Sequence, residues 1–192
     1  VLNNSEETIV SYDGSKKPKA IFLNHEDEGF IKVRLDETSL NFFRDRMAAI
    51  DNELNKVVIW KALYDMTRDG KLSIYQAILI AKKVIPTEPS DSTLEMILSY
   101  CSEFCSLAPK VLKNDYLMPE LFEAIYQALT TANPSNPDRI LVLAGALIEY
   151  ASVSEKRDID NVAKLISWFD GEEASLKSIS LILDNRWSIL EK

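Results

Sequence analysis

The sequence predicts a mainly α protein, an irregular stack of αα-hairpins preceded by a few short β-strands. Three observations carry that prediction. From Ser39 onward, apolar residues recur with a period of 3.6, the spacing that gives a helix one buried stripe. Before that they fall in short runs with a period of two, as strands require. Between the periodic stretches lie Pro, Ser and Asp-Gly signals, and the intervals are short enough to make consecutive helices antiparallel neighbours.

Taken in order, the β-prone pieces are Thr8–Tyr12, Ala20–Leu23 and Phe30–Leu35, separated by Asp13-Gly14 and by the turn-rich Asn24–Gly29. In the last piece Ile31, Val33 and Leu35 face one way, and Lys32 and Arg34 face the other. Three strands this short make a poor sheet by themselves, so they are expected to complete a larger β unit. The change of period sets a boundary, with residues 1–37 a short β segment and residues 38–192 a helical domain.

The helical spacing then recurs at Ile59, Ala62, Leu63 and Met66, with Trp60 and Tyr64 apolar on a second side of the same helix. It returns at Ile74, Ala77, Ile78, Ala81; at Leu94, Ile97, Leu98, Cys101; and at Leu121, Ala124, Ile125, Ala128. Further on come Ile140, Leu143, Ala144, Leu147, then Val162, Leu165, Ile166, Phe169, then Leu176, Ile179, Leu183, Leu190. The punctuation agrees: Asp69-Gly70 with Ser73, Pro86 to Pro89 with Ser90, Pro109, Pro119 at a helix start, Pro134 to Pro137, and Asp170-Gly171. This makes roughly eight helices of ~10–17 residues. No repeat of fixed period is present, so the stack is HEAT/armadillo-like in kind but irregular. Such pairs build a curved layer with a concave side.

Composition narrows the partners. A net charge of −8 over 192 residues and a pI near 4.8 argue against nucleic acid and against anionic membrane, both polyanionic. The basic cluster Lys16-Lys17-Pro18-Lys19 reads as a solvated turn. No apolar run approaches the ~20 residues of a membrane span. The first residues lack a signal-peptide pattern, and the two cysteines, four residues apart, give no disulfide framework. A reducing, cytoplasmic setting is expected. The initial Val rather than Met is expected of a fragment, and equally of processing or trimming.

No active site assembles from these residues. Zinc hydrolysis needs three protein ligands and an open position, and the single histidine, His25, begins an H-E stretch that lacks its second His and lies in a turn. Cys101 and Cys105 lack a second pair of ligands and read as small core residues. There is no G-x-S-x-G, G-x-G-x-x-G or Walker motif. The acidic runs Glu26-Asp27-Glu28, Asp36-Glu37 and Glu172-Glu173 read as solvated edges and helix starts. Trp60, Tyr64, Trp168, Phe169 and Trp187 are spaced as core anchors, and Arg68 is placed to pair with Asp65 or with helix-end carbonyls. No residue is therefore assigned a catalytic, cofactor-binding or metal-binding role.

Two stretches nevertheless carry a resemblance. Phe22-Leu23-Asn24-His25-Glu26-Asp27-Glu28-Gly29-Phe30-Ile31-Lys32-Val33-Arg34-Leu35-Asp36-Glu37 resembles the L-x-N-x-x-D-x-G-[YF]-x-K-V-R-[LF]-D segment of the zinc aminopeptidase N family, the gluzincin aminopeptidases. Trp60 to Ser73 is similar to that family's W-x-A-L-[WY]-D-M-x-R-D-G-x-L-S helix, and Asp184-Asn185-Arg186-Trp187 to a D-x-x-R-W element further along. Leu23 departs from the Pro usual before the Asn. The resemblance implies the end of a β-sandwich domain running into most of a C-terminal helical domain. It implies a parent enzyme with one zinc ion that removes N-terminal amino acids from peptides. The family's H-E-x-x-H and G-x-M-E-N motifs are absent here, so this chain would be the non-catalytic region, capping the active-site chamber and limiting peptide access. Its implied partners are peptide substrates and the upstream catalytic and β-sandwich domains of the same polypeptide. The alternative is a free-standing helical scaffold that binds a protein partner and has no hydrolytic activity.

Overall fold

A computed structural model of the chain describes residues 14, 16–154, 159–176, 179 and 189. Within these, seven α-helices of nine residues or more follow one another, as the period of 3.6 predicts. They are α1 (Glu37–Arg46), α2 (Glu53–Arg68), α3 (Ile74–Val84), α4 (Asp91–Leu107), α6 (Met118–Thr130), α7 (Pro137–Glu149) and α8 (Asn161–Phe169), with a single turn, α5 (Lys110–Leu112), before α6. A two-residue antiparallel pair, β1 (Val153–Ser154) with β2 (Ile159–Asp160), precedes α8, and nothing in the sequence pattern announced it.

The helix starts are set by short polar side chains that accept from otherwise orphaned amides. Asp36 accepts from Ser39 N–H at 3.0 Å, Asn52 from Asn55 N–H at 2.9 Å, and Asp160 from Ala163 N–H at 2.9 Å. Ser73 and Gln76 close a reciprocal capping box on α3. At the end of α2, Gly70 takes φ +67°, which lets Lys71 N–H and Leu72 N–H turn back onto the Met66 carbonyl at 2.8 and 3.1 Å.

Pro119 stands at the start of α6, as its position in the sequence predicts. It sits in the first turn of α6, directly after a π-helical turn over Lys113–Leu117, so the chain stays helical from Lys110 to Thr130. Proline cannot donate to the carbonyl four residues back and its ring collides with it. The preceding turn is widened, with Met118 N–H reaching Lys113 O, which gives room for the ring.

The core centres on α6, which packs against α3, α7 and the turn after α3. Nine of its thirteen residues are buried, so it is covered on two sides. The predicted stripes of α2, α3, α4 and α7 all turn inward. α8 departs from expectation: Ile166 is exposed and Trp168 takes the inward place, its indole N–H donating to Ile179 O at 3.4 Å. Leu176, Ile179 and Ile189 are buried as well, whereas Thr8–Tyr12, Leu183, Leu190 and the Asp184–Trp187 element lie outside the described residues.

The strands expected at Ala20–Leu23 and Phe30–Leu35 require correction. Both stretches are free of helix, but no ladder joins them to anything among the described residues. The alternation holds for Val33 and Leu35, which are buried, against Lys32 and Arg34, which are exposed, but Ile31 departs from it and is 42% exposed. A strand needs a partner as well as a pattern, and none is at hand among the described residues.

Candidate functional site

The two motif stretches meet in space. The Asn24–Gly29 turn sits against α2, where Glu26 N–H donates to Asn55 Oδ1 at 3.0 Å. Asn24, buried, organises the turn: its Oδ1 accepts from Gly29 N–H at 2.9 Å and its Nδ2 donates to Asp27 Oδ1 at 2.8 Å. Glu26 and Asp27 are held at φ +55° and +54°, a left-handed conformation that side chains other than Gly disfavour. Gly29 lies close to the same side chain, and a Cβ there would be 3.0 Å from Asn24 Oδ1, so Asn24 would have to shift to admit one.

Downstream of the turn, Lys32 Nζ pairs with Asp69 at 2.7 Å, and that carboxylate holds the ammonium above its ordinary pKa. Leu35 N–H reaches Met66 Sδ at 3.4 Å. Residues of the first motif thus lie along the last turns of the second. Between turn and helix an open cleft of ≈ 500 Å³ is lined by Gly29, Phe30, Ile31, Lys32, Lys61 and Asp65, among others. Phe30 stands entirely in solvent.

Arg68 does not pair with Asp65 as its spacing suggests. Its guanidinium donates to Tyr64 Oη at 2.9 Å and pairs with Glu103 of α4 at 3.1 Å, contacts that hold its pKa above the ordinary value, the Tyr64 hydroxyl most of all. Tyr64 in turn donates to Glu103 at 2.6 Å and stacks on Tyr100 with ring centroids 4.3 Å apart. Tertiary proximity of α2 and α4 overrides the local i, i+3 choice.

A second cleft, of ≈ 270 Å³, opens between α6 and α8, lined by Glu120, Phe122, Glu123, Tyr126, Asp160 and Lys164 among others. Lys82 of α3 pairs with Glu120 at 2.7 Å and with Glu123. Tyr126 donates to Glu173 at 2.7 Å, which keeps that carboxyl below its usual range. The sequence reading treated Glu172-Glu173 as an edge and did not find this contact, since the partners are 47 residues apart.

None of these groups makes a nucleophile or a metal centre. Cys101 and Cys105 are buried on α4; burial pushes the Cys101 thiol well up and the Cys105 thiol to about 11, so both stay protonated and inert. His25 lies on an exposed turn beside Glu26. Among the described residues, no three of His, Cys, Asp and Glu come together to hold a metal ion, so the donors present do not fit a zinc site. Trp60 is buried with its indole N–H unpartnered, and Trp187 lies outside the described residues. No helix among the described residues is long and apolar enough to cross a membrane.

Comparison with known proteins places these features. Aminopeptidase N of Streptomyces lividans is 24% identical over an alignment of 186 residues that covers 93% of this chain and 20% of that protein. The chain therefore spans about a fifth of the length of the curated relative it matches. A family model for the ERAP1-like C-terminal domain matches residues 20–191, which include both motif stretches and every helix described above. The chain belongs to the family of ERAP1-like C-terminal domains, the helical C-terminal domain of aminopeptidase N-type proteins.

Proposed function

We propose that this chain is the non-catalytic C-terminal region of a zinc-dependent aminopeptidase, with residues 1–37 ending a β-sandwich domain and residues 38–192 forming a helical domain that caps the active-site chamber. In this reading the helical domain limits peptide access and contacts substrates at a distance from the cut. The zinc ion, its ligands and the amine-holding loop belong to the upstream part of the same polypeptide, and the setting is cytoplasmic.

One observation carries the reading: a family match over residues 20–191 together with a relative named aminopeptidase N of which this chain spans a fifth. The chemistry of the chain is consistent with a division of labour. Its thiols are buried and protonated, and carboxylates such as Asp36 and Glu120 are engaged in a helix cap and an inter-helix ion pair. Contacts to peptide through such a surface are weak and sequence-tolerant, since an enzyme that trims many substrates cannot depend on deep specific pockets.

The test is expression of the complete reading frame and assay on alanyl and leucyl fluorogenic substrates. The full polypeptide releases the fluorophore, a zinc chelator stops it, and the 192-residue chain is inactive with or without added zinc. Zinc-dependent turnover by the 192-residue chain overturns the reading, and so does a complete polypeptide that has no aminopeptidase activity.

A further inference from the structure

We infer that the cleft between α6 and α8 binds a small zwitterion, a free α-amino acid with an apolar side chain. The binding is argued from the cleft alone; that the amino acid is one released by the parent enzyme rests on the reading under Proposed function.

The cleft holds a buried polar group that the chain leaves unused. Asn161, the first residue of α8, lines it and is 5% exposed, yet its side-chain amide has no hydrogen-bond partner among the described residues. Buried amides are almost always paired, so one left open toward a cleft calls for a partner from outside. The backbone around it is settled. Asn161 N–H donates to Ser152 O at 3.0 Å, and Asp160 accepts from Ala163 N–H at 2.9 Å, so a carboxylate of the chain already fills the helix terminus that would otherwise attract an anion. The Ser152 hydroxyl, next to Asn161, is also buried and unpartnered.

The two walls carry opposite charge. On the α6 side, Lys82 holds Oε2 of Glu120 and Oε2 of Glu123, and the Glu123 side chain is 69% exposed, which leaves its other oxygen open to a ligand. On the α8 side, Lys164 makes no ion pair among the described residues, and its ammonium stands 5.7 Å from the centre of the Tyr126 ring. The α6 wall is aromatic as well: Phe122 and Tyr126 stack with ring centroids 6.3 Å apart.

This set of groups sorts the possible ligands. A bare anion is repelled by Glu120, Glu123 and Asp160, a ligand that is only cationic leaves Lys164 unmatched, and a wholly apolar one leaves the Asn161 amide unpaired. A zwitterion answers all three. Its ammonium pairs with Glu123, its carboxylate pairs with Lys164, and the Asn161 amide, donor and acceptor at once, bonds to either end. An apolar side chain then lies against Phe122 and Tyr126. The volume of ≈ 270 Å³ is about nine water volumes and falls below the range of drug-sized sites, so it suits a single amino acid rather than a length of peptide. A released amino acid thus has a place to bind on a region that makes no cut.

The experiment is equilibrium dialysis of radiolabelled leucine against the complete polypeptide, with a hydroxamate present to saturate any zinc centre. The expected result is saturable binding of a single leucine with a Kd of order a millimolar. Glu123→Gln and Lys164→Met, both at surface positions, should each weaken it about tenfold, and N-acetylleucine and leucinamide, each lacking one charge, should compete about tenfold less well than leucine. Absence of saturable binding up to about 10 mM leucine overturns the inference. Binding that both variants leave unchanged places leucine elsewhere and overturns it too, and leucinamide competing as well as leucine makes the cleft a simple cation site, which also overturns it. Hydrolysis of leucyl substrate without the hydroxamate, on the same preparations, decides the preceding reading separately: an active polypeptide that binds no leucine keeps that reading and removes this inference, and an inactive one that binds leucine does the reverse.

Discussion

Helix α6 and the segment 20–35 are both rich in apolar side chains, and they dispose of them in opposite ways. In α6 the chain's own helices α3 and α7 cover Leu121, Phe122, Ile125 and Leu129 completely. In the segment, Ile21, Leu23 and Phe30 face outward while polar Asn24 is buried. The contrast teaches that apolar content does not reveal which surface is core. A helix satisfies its backbone internally and needs only a covered stripe, whereas an extended run must find both a covering face and a hydrogen-bonding partner.

The sharpest way to break this comparison is to truncate one phenylalanine from each region. Phe122→Ala in α6 removes a 2%-exposed ring from close packing and should lower unfolding stability by about 4 kcal/mol, read by urea denaturation. Phe30→Ala in this chain should change stability by no more than about 0.5 kcal/mol, because its ring touches water already. A loss of several kcal/mol at Phe30 would mean that the segment is core after all.

The next largest effect comes from a buried ion pair that joins the two regions' supports. Lys56 of α2 lies 3.1 Å from Glu88, with side chains 6% and 0% exposed, and Glu88 also accepts from Ser90 N–H at 3.1 Å. Arg139 of α7 donates to the Glu88 carbonyl and to Asp91, so α2, α4 and α7 are tied at one point. Glu88→Ala strands a buried ammonium and should cost about 3 kcal/mol, whereas Lys56→Met with Glu88→Leu should recover most of it. Equal losses in the single and double variants would show that the pair's charges are not what holds the junction.

How legible all this was in the sequence depends on the range of the interaction. Helix positions, the Ser73 cap and the Gly70 and Gly171 stops were readable because 3.6 periodicity, a serine before an apolar run, and Asp-Gly pairs act within a few residues, whereas the Gln76 half of the Ser73 box was not singled out. The π turn before Pro119 was not, since it answers a clash between a proline and a helix that continues through it for tertiary reasons. Lys56 with Glu88 and Tyr126 with Glu173 join residues 32 and 47 positions apart, and no local pattern announces such pairs. The motif stretches were visible one by one, but that Lys32 meets Asp69 and that Asn55 holds the turn required the fold. The same limit explains Phe30: it opens a β-prone run, yet only the structure shows that nothing within this chain's described residues covers it.

A smaller effect probes the boundary between segment 20–35 and the helices that follow. Gly70 ends α2 at φ +67°, and a Cβ there would meet no atom within 4 Å. Gly70→Ala therefore tests backbone strain without steric overlap and should cost about 1 kcal/mol in thermal or urea unfolding. A neutral result would show that the turn carrying Asp69, the partner of Lys32, relaxes freely.

The smallest expected effect is acidic. Asn136 Nδ2 donates to Asp91 at 3.1 Å and Arg139 pairs with it, and these contacts hold the Asp91 carboxyl below its ordinary 3.8; Ser39 does the same for Asp36 through its hydroxyl and its amide. A carboxyl whose pKa is lower in the folded than in the unfolded state contributes stability that is fully present above the unfolded value and disappears as pH falls through the folded one. The midpoint of thermal unfolding should accordingly be flat from about pH 7 to 5 and decline below about pH 4. Both carboxylates are reached by solvent, so salt should blunt the decline. Asp91→Asn removes one contributor, lowering the midpoint slightly at neutral pH and making the acid limb shallower. An acid limb of unchanged slope in that variant would place the responsible carboxyls elsewhere, and Asp36, at the junction of the segment with α1, is the one to substitute next.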